Sequence, residues 1–297
     1  MNRYPTCAAA LALLGLLASS ASSLPAQTPD FDGAGAVDAL SLKTQEPAPT
    51  PEGVNVTPQL WASTDTVDVF SDLAEAVPDG TDQDKIELNG KTLWRGTQLG
   101  MGEMVEVTEV RDDGWAHVNV PNQNYSGWVR RTSLGEDPKL AENFRQVQVG
   151  PAAAGKNAYR EAFLNETKRL EGVPYVWGGR SPRGVDCSGL VQLAFSYIGM
   201  GSVVPRTAHE QRNHSRPVDP KSLKAGDLIF SAHLNDPSKI THVMVYIGEG
   251  MIREAPHTGS VVRTTDVRSR LGLDLQNSFQ GQKTRKYVLY FGTYFKD

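Results

Sequence analysis

Cys187 is the strongest candidate for a nucleophile in this chain, because it lies where a helix is predicted to begin. From it onward, small and apolar residues recur in alternating steps of three and one, the buried stripe of an amphipathic helix. Asp186 stands at the expected N-cap, after a loop that contains Gly178, Gly179 and Gly184. A thiol in a first helical turn lies at the positive end of the helix dipole, which favours the reactive thiolate, and the N–H groups there can receive an oxyanion. The alternative is a buried cysteine that packs as a small apolar residue.

His242 is the best-placed base for that thiol among the six histidines, because it begins a strongly predicted buried strand. In a hairpin of 242–247 and 251–256, the alternation of side chains places residues 242 and 254 on one face. A carboxylate at Glu254 can hold the imidazole and stabilise its cation. Cys187, His242 and Glu254 would then be the nucleophile, base and orienter of a cysteine hydrolase. His257 is the second candidate for the orienter, and a strand cap beside a surface carboxylate is the alternative to catalysis.

Neither a metal, a cofactor nor nucleic acid is predicted as a ligand. The phrase HEQRNH (209–214) has its histidines five residues apart, whereas a zinc-binding helix needs four to bring both rings to one face. Cys7 lies within the predicted export signal, so the mature protein would have no second cysteine for a thiolate site, and no glycine loop has the spacing that binds phosphate. The net charge of −4 and the pI of about 5.9 leave no basic footprint for nucleic acid.

The first 26 residues have the pattern of an export signal. Arg3 precedes a short apolar core (7–18), and small residues follow, with cleavage expected near Ser23 or Ala26. That core is too short to span a bilayer, and Cys7 precedes it, which does not fit a lipid anchor. Cleavage would leave Cys187 without an intramolecular partner, which favours a catalytic cysteine over a structural one. We expect a protein of the periplasm or the extracellular space, without stable membrane insertion.

Composition divides the chain into five segments. They are the signal peptide (1–26), a flexible linker rich in Pro, Ala, Asp and Thr (27–58), a β-rich domain (59–136), a second linker (137–156) and an α+β domain (157–297). The β-rich domain has apolar residues at every second position in 67–70, 104–110, 115–120 and 127–131. Turn residues at 112–114 and 121–126 separate these strands, which predicts a small barrel. Such a barrel either binds peptides or cell wall, or only packs on its neighbour.

The α+β domain is predicted to begin with a helix from Asn157 to Glu171, which Gly172 ends. The helix at Cys187 follows, then a loop with up to one helical turn (204–220). One strand is predicted to begin at Leu228, and further strands are predicted within 241–256 and within 285–295. Helices followed by antiparallel strands indicate an α+β fold.

Five phrases of this domain resemble the NlpC-type cysteine peptidases of bacterial cell-wall metabolism, in the NlpC/P60 superfamily. They are GVPYVWGG (172–179), DCSG (186–189), PRTAHEQ (205–211), LKAGDLIF (223–230) and HVMVYIG (242–248). Their order and spacing fit across about residues 156–256. The run 102–134 is similar to bacterial SH3-like domains, whose strands commonly end in a phrase like GWV. The resemblance implies a papain-like α+β core, preceded by a small all-β SH3-like barrel.

The resemblance also implies a reaction. Cys187 would be the nucleophile and His242 the base of an endopeptidase that cleaves the γ-D-glutamyl to diamino acid (diaminopimelate) bond of peptidoglycan stem peptides. The third polar residue of the family is most often a histidine in a phrase like HAP, and the phrase EAP here gives Glu254 that role. Members with an N-terminal SH3-like domain tend to require a free N-terminal L-alanine, because the barrel closes one end of the cleft.

Four further residues receive substrate roles from the resemblance. Asp186 and Ser188 would bind the free amine, and a carboxylate can pair with an ammonium. Tyr175 would place its hydroxyl near the oxyanion, and Arg206 would pair with a substrate carboxylate. The alternatives are an N-cap for Asp186, packing for Tyr175 and a surface ion pair for Arg206. An amidase or acyl transferase on the same fold, and a non-catalytic cell-wall-binding protein, are the competing functions.

Overall fold

Two antiparallel sheets organise the residues that the structure, a computed structural model, describes. These residues are 59–63, 66–71, 85–136 and 157–296, and they belong to one unit, Asn55–Asp297. The predicted signal peptide (1–26) and both predicted linkers (27–58 and 137–156) lie outside the described residues, so the proposed domain boundaries stay predictions. Within the described ranges, no helix has both the length and the hydropathy to cross a membrane.

The first sheet forms the predicted barrel-like domain. Its strands are β1 (Gln59–Ser63), β2 (Val67–Ser71), β3 (Lys85–Leu88), β4 (Lys91–Leu99), β5 (Met104–Val110), β6 (Trp115–Val120), β7 (Tyr125–Arg130) and β8 (Leu134–Gly135). They pair in the order β3-β4-β2-β7-β6-β5-β1-β8. The four strands predicted from alternation are confirmed as β2, β5, β6 and β7, whereas β1, β3, β4 and β8 were not predicted.

The core of this sheet follows from the period-two pattern. One side chain of every two points inward, so that the valines of neighbouring strands pack together. The buried members include Val67, Val69, Val105, Val107, Val118, Val120 and Val129. The predicted turn at 112–114 is present, and Gly114 adopts a φ of +85°, which favours glycine. The second predicted turn holds a short 3₁₀ helix, Pro121–Gln123.

The second domain combines helices with the second sheet. Its helices are α1 (Ala158–Arg169), α2 (Cys187–Tyr197), α3 (Ala208–His214) and α4 (Val267–Leu271). Its strands are the small pair β9 (Arg180–Ser181) and β10 (Gly184–Val185), then β11 (Arg216–Pro217), β12 (Leu228–His233), β13 (Asp236–Gly248), β14 (Met251–Glu254), β15 (Arg263–Asp266), β16 (Gln282–Lys283) and β17 (Tyr287–Thr293). The main sheet has the order β11-β17-β12-β13-β14-β15, with β16 beside β17.

Helix α2 packs its apolar stripe on the centre of this sheet. Val191, Ala194 and Phe195 are fully buried, in one cluster with Phe230 of β12 and Val243 of β13. The predicted helix is confirmed, with Cys187 as its first residue. Because α2 lies against β13, the fold brings the first turn of the helix to the strand that carries His242.

Two predictions for the helices need adjustment. The first helix is present but shorter at both ends than 157–171, because it spans Ala158–Arg169. The segment 204–220 is not a loop with a single turn, since it contains the seven-residue helix α3. The Thr207 side chain accepts a hydrogen bond from the Glu210 backbone N–H and so caps this helix, and buried Gln211 anchors it.

Candidate active site

The start of α2 presents Cys187 from a firmly capped helix. Asp186 Oδ1 accepts a hydrogen bond from the Gly189 backbone N–H at 2.6 Å, which confirms the predicted N-cap. Asp186 Oδ2 accepts a second bond, from the N–H of Gly178 in the preceding loop, at 2.9 Å. A Cβ at position 189 would overlap the carbonyl oxygen of Gly179, so glycine is needed for this close approach. Cys187 has no disulfide and is 8% exposed.

His242 and Glu254 meet as the hairpin alternation predicts. Strands β13 and β14 pair Val245 with Arg253 and Tyr246 with Ile252. In this register His242 and Glu254 lie diagonally across one face, and the imidazole Nε2 is 2.9 Å from Glu254 Oε2. The β-bulge in this hairpin falls after Tyr246, beyond the residues of the site, so it does not change the parity.

The imidazole therefore has one nitrogen for each neighbour. Glu254 occupies Nε2, and Cys187 lies close enough to act on the charge of His242, which leaves Nδ1 for the sulfur. The Glu254 carboxylate is fully buried, and the His242 side chain is 12% exposed. A carboxylate that accepts from Nε2 fixes the ring orientation and makes Nδ1 the proton carrier toward the thiol.

The same neighbours set the charge of the pair. Burial lowers the pKa of His242, but the negative charge and hydrogen bond of Cys187, together with Glu254, outweigh burial and raise the pKa to about 9. Burial raises the pKa of Glu254, but the hydrogen bonds and charges of His242 and Arg270 lower it to about 2. At neutral pH the site therefore holds an imidazolium against a carboxylate.

Tyr175 lies close enough to Cys187 for the two side chains to interact electrostatically. Its backbone N–H donates to the Ser260 carbonyl at 2.8 Å, and its ring packs in a cluster with Val185 and Leu190. Burial raises the pKa of the Tyr175 hydroxyl, and the negative charges of Cys187 and Asp186 raise it further. The hydroxyl thus stays protonated and can donate a hydrogen bond close to the sulfur, while the packing alternative also holds for the ring.

Arg206 is a buried residue, and the expectation of a surface ion pair is wrong. Its guanidinium pairs with Asp186 at 2.6 Å, and the side chain is 2% exposed. The remaining donors reach Ser188 Oγ at 2.9 Å, Thr97 Oγ1 at 2.8 Å and the Gly179 carbonyl at 3.5 Å. Because these partners occupy the planar fork of the guanidinium, the structure gives Arg206 no open side for a substrate carboxylate. Arg206 therefore has a role inside the protein, and its predicted substrate role stays a prediction.

Asp186 and Ser188 belong to the same buried cluster. The Asp186 carboxylate accepts five hydrogen bonds, from Gly178, Ser188, Gly189 and two nitrogens of Arg206. A carboxylate has about four lone-pair sites, so these partners saturate it. A substrate ammonium would have to displace one of them, and the amine role of these two residues stays a prediction.

The arginine cluster continues into the barrel as a chain of buried polar contacts. Thr97 of β4 donates to Gln123 Oε1 at 2.5 Å, and Gln123 donates to Glu103 at 3.1 Å. Glu103 pairs with Arg180 of the second domain at 2.9 Å, and both side chains are at most 1% exposed. Arg180 in turn donates to Gln192 of α2. The barrel therefore contacts the helix that carries Cys187 through fully buried hydrogen bonds.

Two arginines at the site were not predicted from the sequence. Arg263 of β15 and Arg270 of α4 both donate to Glu254, at 3.0 Å and 2.8 Å. The pairing of β14 with β15 places Arg263 opposite Glu254. The sequence shows no alternation in 263–266, so this strand was not predicted.

The alternative orienter lies elsewhere. His257 is exposed in the loop after β14, and its Nδ1 is 2.9 Å from the carbonyl oxygen of Thr258. The structure therefore places Glu254, and not His257, against His242. Across the described ranges, no three His, Cys, Asp or Glu side chains converge in an arrangement that could hold a metal ion.

Comparisons with known proteins place this geometry in a family. The sequence profile of the NlpC/P60 family matches residues 172–276, and that of the bacterial dipeptidyl-peptidase SH3 domain matches 95–134. The γ-D-glutamyl-L-lysine dipeptidyl-peptidase of Bacillus subtilis (strain 168) is 38% identical over 221 residues, which cover 56% of this chain and 74% of that protein. The chain belongs to the NlpC/P60 family. This family consists of cysteine peptidases, so the predicted enzyme class is confirmed at the level of the family.

Other NlpC/P60 relatives are matched over shorter portions of their length. The bifunctional muramidase/DL-endopeptidase CwlT of Bacillus subtilis (strain 168) is 34% identical over 167 residues, which cover 56% of this chain and 46% of CwlT. The chain thus spans less than half of CwlT. The crystal structure of an NlpC/P60 family protein from Bacillus cereus ATCC 10987 matches with a TM-score of 0.56 and 18% identity, over 80% of this chain and all of that one. The predicted fold, an α+β domain after an SH3-like domain, is confirmed.

Proposed function

We propose that this NlpC/P60 protein is a cell-wall endopeptidase that hydrolyses the γ-D-glutamyl to diamino acid bond of peptidoglycan stem peptides. The observation that carries the proposal is the position of His242, between the Cys187 side chain and the buried Glu254 carboxylate at 2.9 Å. An imidazole held in this way can take the thiol proton and later return it to a leaving amine. The names of the relatives, an endopeptidase and a γ-D-glutamyl dipeptidyl-peptidase, support the bond.

The reaction proceeds through a thioester. The thiol proton already rests on His242, which is an imidazolium at neutral pH, and the thiolate sulfur of Cys187 attacks the γ-carbonyl carbon of the D-glutamyl residue. The negative oxygen that forms accepts hydrogen bonds from N–H groups at the start of α2 and from the Tyr175 hydroxyl. The C–N bond then breaks, and the imidazolium protonates the departing amine of the diamino acid. Water, deprotonated by His242, hydrolyses the thioester and restores the thiol.

The barrel gives the cleft a closed end in this proposal. Arg95 of β4 donates to the Trp177 carbonyl at 3.1 Å, and a Cβ at Gly178 would overlap the Arg95 carbonyl oxygen. The barrel thus abuts the loop that leads to Cys187. A stem peptide that ends at this boundary fits better than a stem peptide that continues into a glycan strand. We therefore extend the proposal to stem peptides with a free N-terminal L-alanine, which the protein would meet outside the cytoplasm.

Mass spectrometry of a synthetic peptide tests this function. Purified protein is incubated with L-Ala-γ-D-Glu-meso-diaminopimelate, its N-acetylated copy and intact sacculi, with Cys187→Ala as the control. The proposal expects release of L-Ala-γ-D-Glu from the free-amine peptide alone, and no product with the control. Cleavage of all three substrates would retain the peptidase and reject the free-amine requirement. An uncleaved free-amine peptide would overturn the proposed bond and favour an amidase, an acyl transferase or a wall-binding protein.

A further inference from the structure

Glu254 has more partners than an orienting carboxylate needs. It is fully buried, and three side chains donate to it from three different elements. These are His242 of β13, Arg263 of β15 and Arg270 of α4. A buried carboxylate is costly unless its charge is compensated and its oxygens are bonded, and a neutral or mobile imidazole would satisfy only one of them. The arginines therefore determine the state in which Glu254 meets His242.

The two arginines contact the carboxylate differently. Arg263 reaches only Oε1, and its side chain is 45% exposed. Arg270 Nε contacts both oxygens, Oε1 at 2.8 Å and Oε2 at 3.2 Å, and its side chain is 21% exposed. Oε2 is the oxygen that faces His242 Nε2. Among the arginines in the part of the chain that the structure describes, only Arg270 thus contacts Oε2, the oxygen that holds the imidazole.

Arg270 is itself held in place. The Asp266 side chain caps α4 by accepting from the Ser269 backbone N–H at 2.9 Å, and Leu271 is buried in the adjoining cluster. The guanidinium carbon lies 5.9 Å from the centre of the Tyr287 ring on β17. A short helix anchored on both sides gives the guanidinium a fixed position, so Glu254 has little freedom to rotate away from His242.

We propose that Arg270 is a positioning residue for the reaction: it fixes the orientation and the charge of Glu254, so that Oε2 holds His242 Nε2 and Nδ1 faces Cys187. The rate effect rests on the proposed function, whereas the hydrogen bond between Nε2 and Glu254 can be observed without any substrate. Arg270 acts through Glu254 and does not contact the reacting atoms.

Kinetics of Arg270→Gln test the rate effect, with Arg268→Gln as the matched control. Arg268 lies in the same helix, is 76% exposed and pairs only with Asp274 among the ion pairs described. We expect Arg270→Gln to lower kcat at least tenfold with KM within about twofold, and Arg268→Gln to leave both unchanged, since positioning acts on the transition state. In the background of Glu254→Gln, Arg270→Gln should cause no further loss of kcat, because Arg270 acts only through the Glu254 carboxylate. Equal kcat in the two arginine variants, or additive losses, would overturn the proposal.

Arg270→Lys covers the case in which Arg270→Gln does not fold. Lysine keeps the charge but lacks the planar fork, so we expect a several-fold fall in kcat that lies between wild type and Arg270→Gln. A lysine variant with wild-type kcat would contradict a geometric role. Circular dichroism checks the fold of each variant.

NMR provides the readout that does not depend on the substrate. A proton held between His242 Nε2 and a carboxylate gives a far-downfield signal in histidine-labelled protein. We expect this signal in wild type and Arg268→Gln, and its loss or broadening in Arg270→Gln. If the wild-type protein cleaves no wall peptide, the proposed function fails while this signal still decides the role of Arg270. An unchanged signal in Arg270→Gln would overturn that role.

Discussion

The charge of His242 is controlled by residues on both of its sides. The pKa of His242 is raised from its usual 6.5 to about 9, and that of Glu254 is lowered from 4.5 to about 2. The histidine contribution to stability is complete below pH 6.5 and is lost as the pH rises through about 9. The Glu254 contribution is present above pH 4.5 and is lost as the pH falls toward 2. The pair therefore contributes most between these two limits, where both groups carry charge.

Replacing Glu254 with Gln should change both the rate and its pH dependence. Without the carboxylate the pKa of His242 falls, so the alkaline limb of kcat/KM should move from about 9 toward lower pH. We also expect kcat to fall roughly tenfold to 100-fold, because the imidazolium loses its partner. The pH–rate profile is the measurement, and Glu249→Gln, an exposed position in the same hairpin, is the control. An alkaline limb that stays in place would show that Glu254 does not set the charge of His242.

At the scale of elements, the sequence was most informative where apolar periodicity is strong. The stripe from Cys187 predicted α2, and the alternation around His242 predicted the face that Glu254 shares. The hairpin of β3 and β4 was not predicted, although Asn89 and Gly90 both adopt positive φ and form the two-residue turn typical of hairpins. Its flanking strands are too polar for a clear alternation.

The partners of Glu254 show why the rest of the site was missed. Arg263 and Arg270 come from a strand and a short helix whose residues, RTTD and VRSRL, carry no strong pattern. Pairing with β14 forms β15, and α4 follows directly after this strand, so only the folded chain brings the two arginines to the carboxylate. Local patterns thus predicted that Cys187, His242 and Glu254 form one site, but not the arginines that hold Glu254.

The two capping aspartates allow a prediction about α2. Asp186→Asn keeps an N-cap but removes the charge that compensates buried Arg206, which should cost about 3–5 kcal/mol of unfolding free energy. Among the residues that the structure describes, Asp266 takes part in no buried ion pair, so Asp266→Asn, at the N-cap of α4, should leave the free energy of unfolding close to that of wild type. Urea unfolding of both variants is the measurement. Equal effects would contradict the view that Asp186 serves the ion pair as well as the cap.

At the scale of the whole molecule, the barrel is joined to the catalytic domain by buried polar contacts. Glu103 of the barrel and Arg180 of the catalytic domain are 77 positions apart, and no local pattern in the sequence links them. Gln123 and Thr97 connect this pair to Arg206, which reaches the N-cap of α2. A buried network of this kind makes the nucleophile helix depend on the barrel for its environment.

Glu103→Gln tests this dependence. The substitution leaves Arg180 buried without its ion partner, so we expect a loss of about 3–5 kcal/mol of unfolding free energy. Because the network spans both domains, we also expect the peptidase activity to be lost in the same thermal transition in which the barrel unfolds. Glu109→Gln, at an exposed position of β5, should behave as wild type. Calorimetry with two separated transitions in the wild-type protein would contradict this coupling.

The central claim is that Cys187 forms a thioester with the γ-carboxyl group of a stem-peptide glutamate. Acid quenching during turnover of L-Ala-γ-D-Glu-meso-diaminopimelate, followed by intact-protein and peptide mass spectrometry, tests it most directly. We predict an added L-Ala-γ-D-Glu acyl group on the peptide that contains Cys187, and neither adduct nor hydrolysis with Cys187→Ala. Hydrolysis at the wild-type rate by Cys187→Ala, or an acyl group on another residue, would contradict the claim.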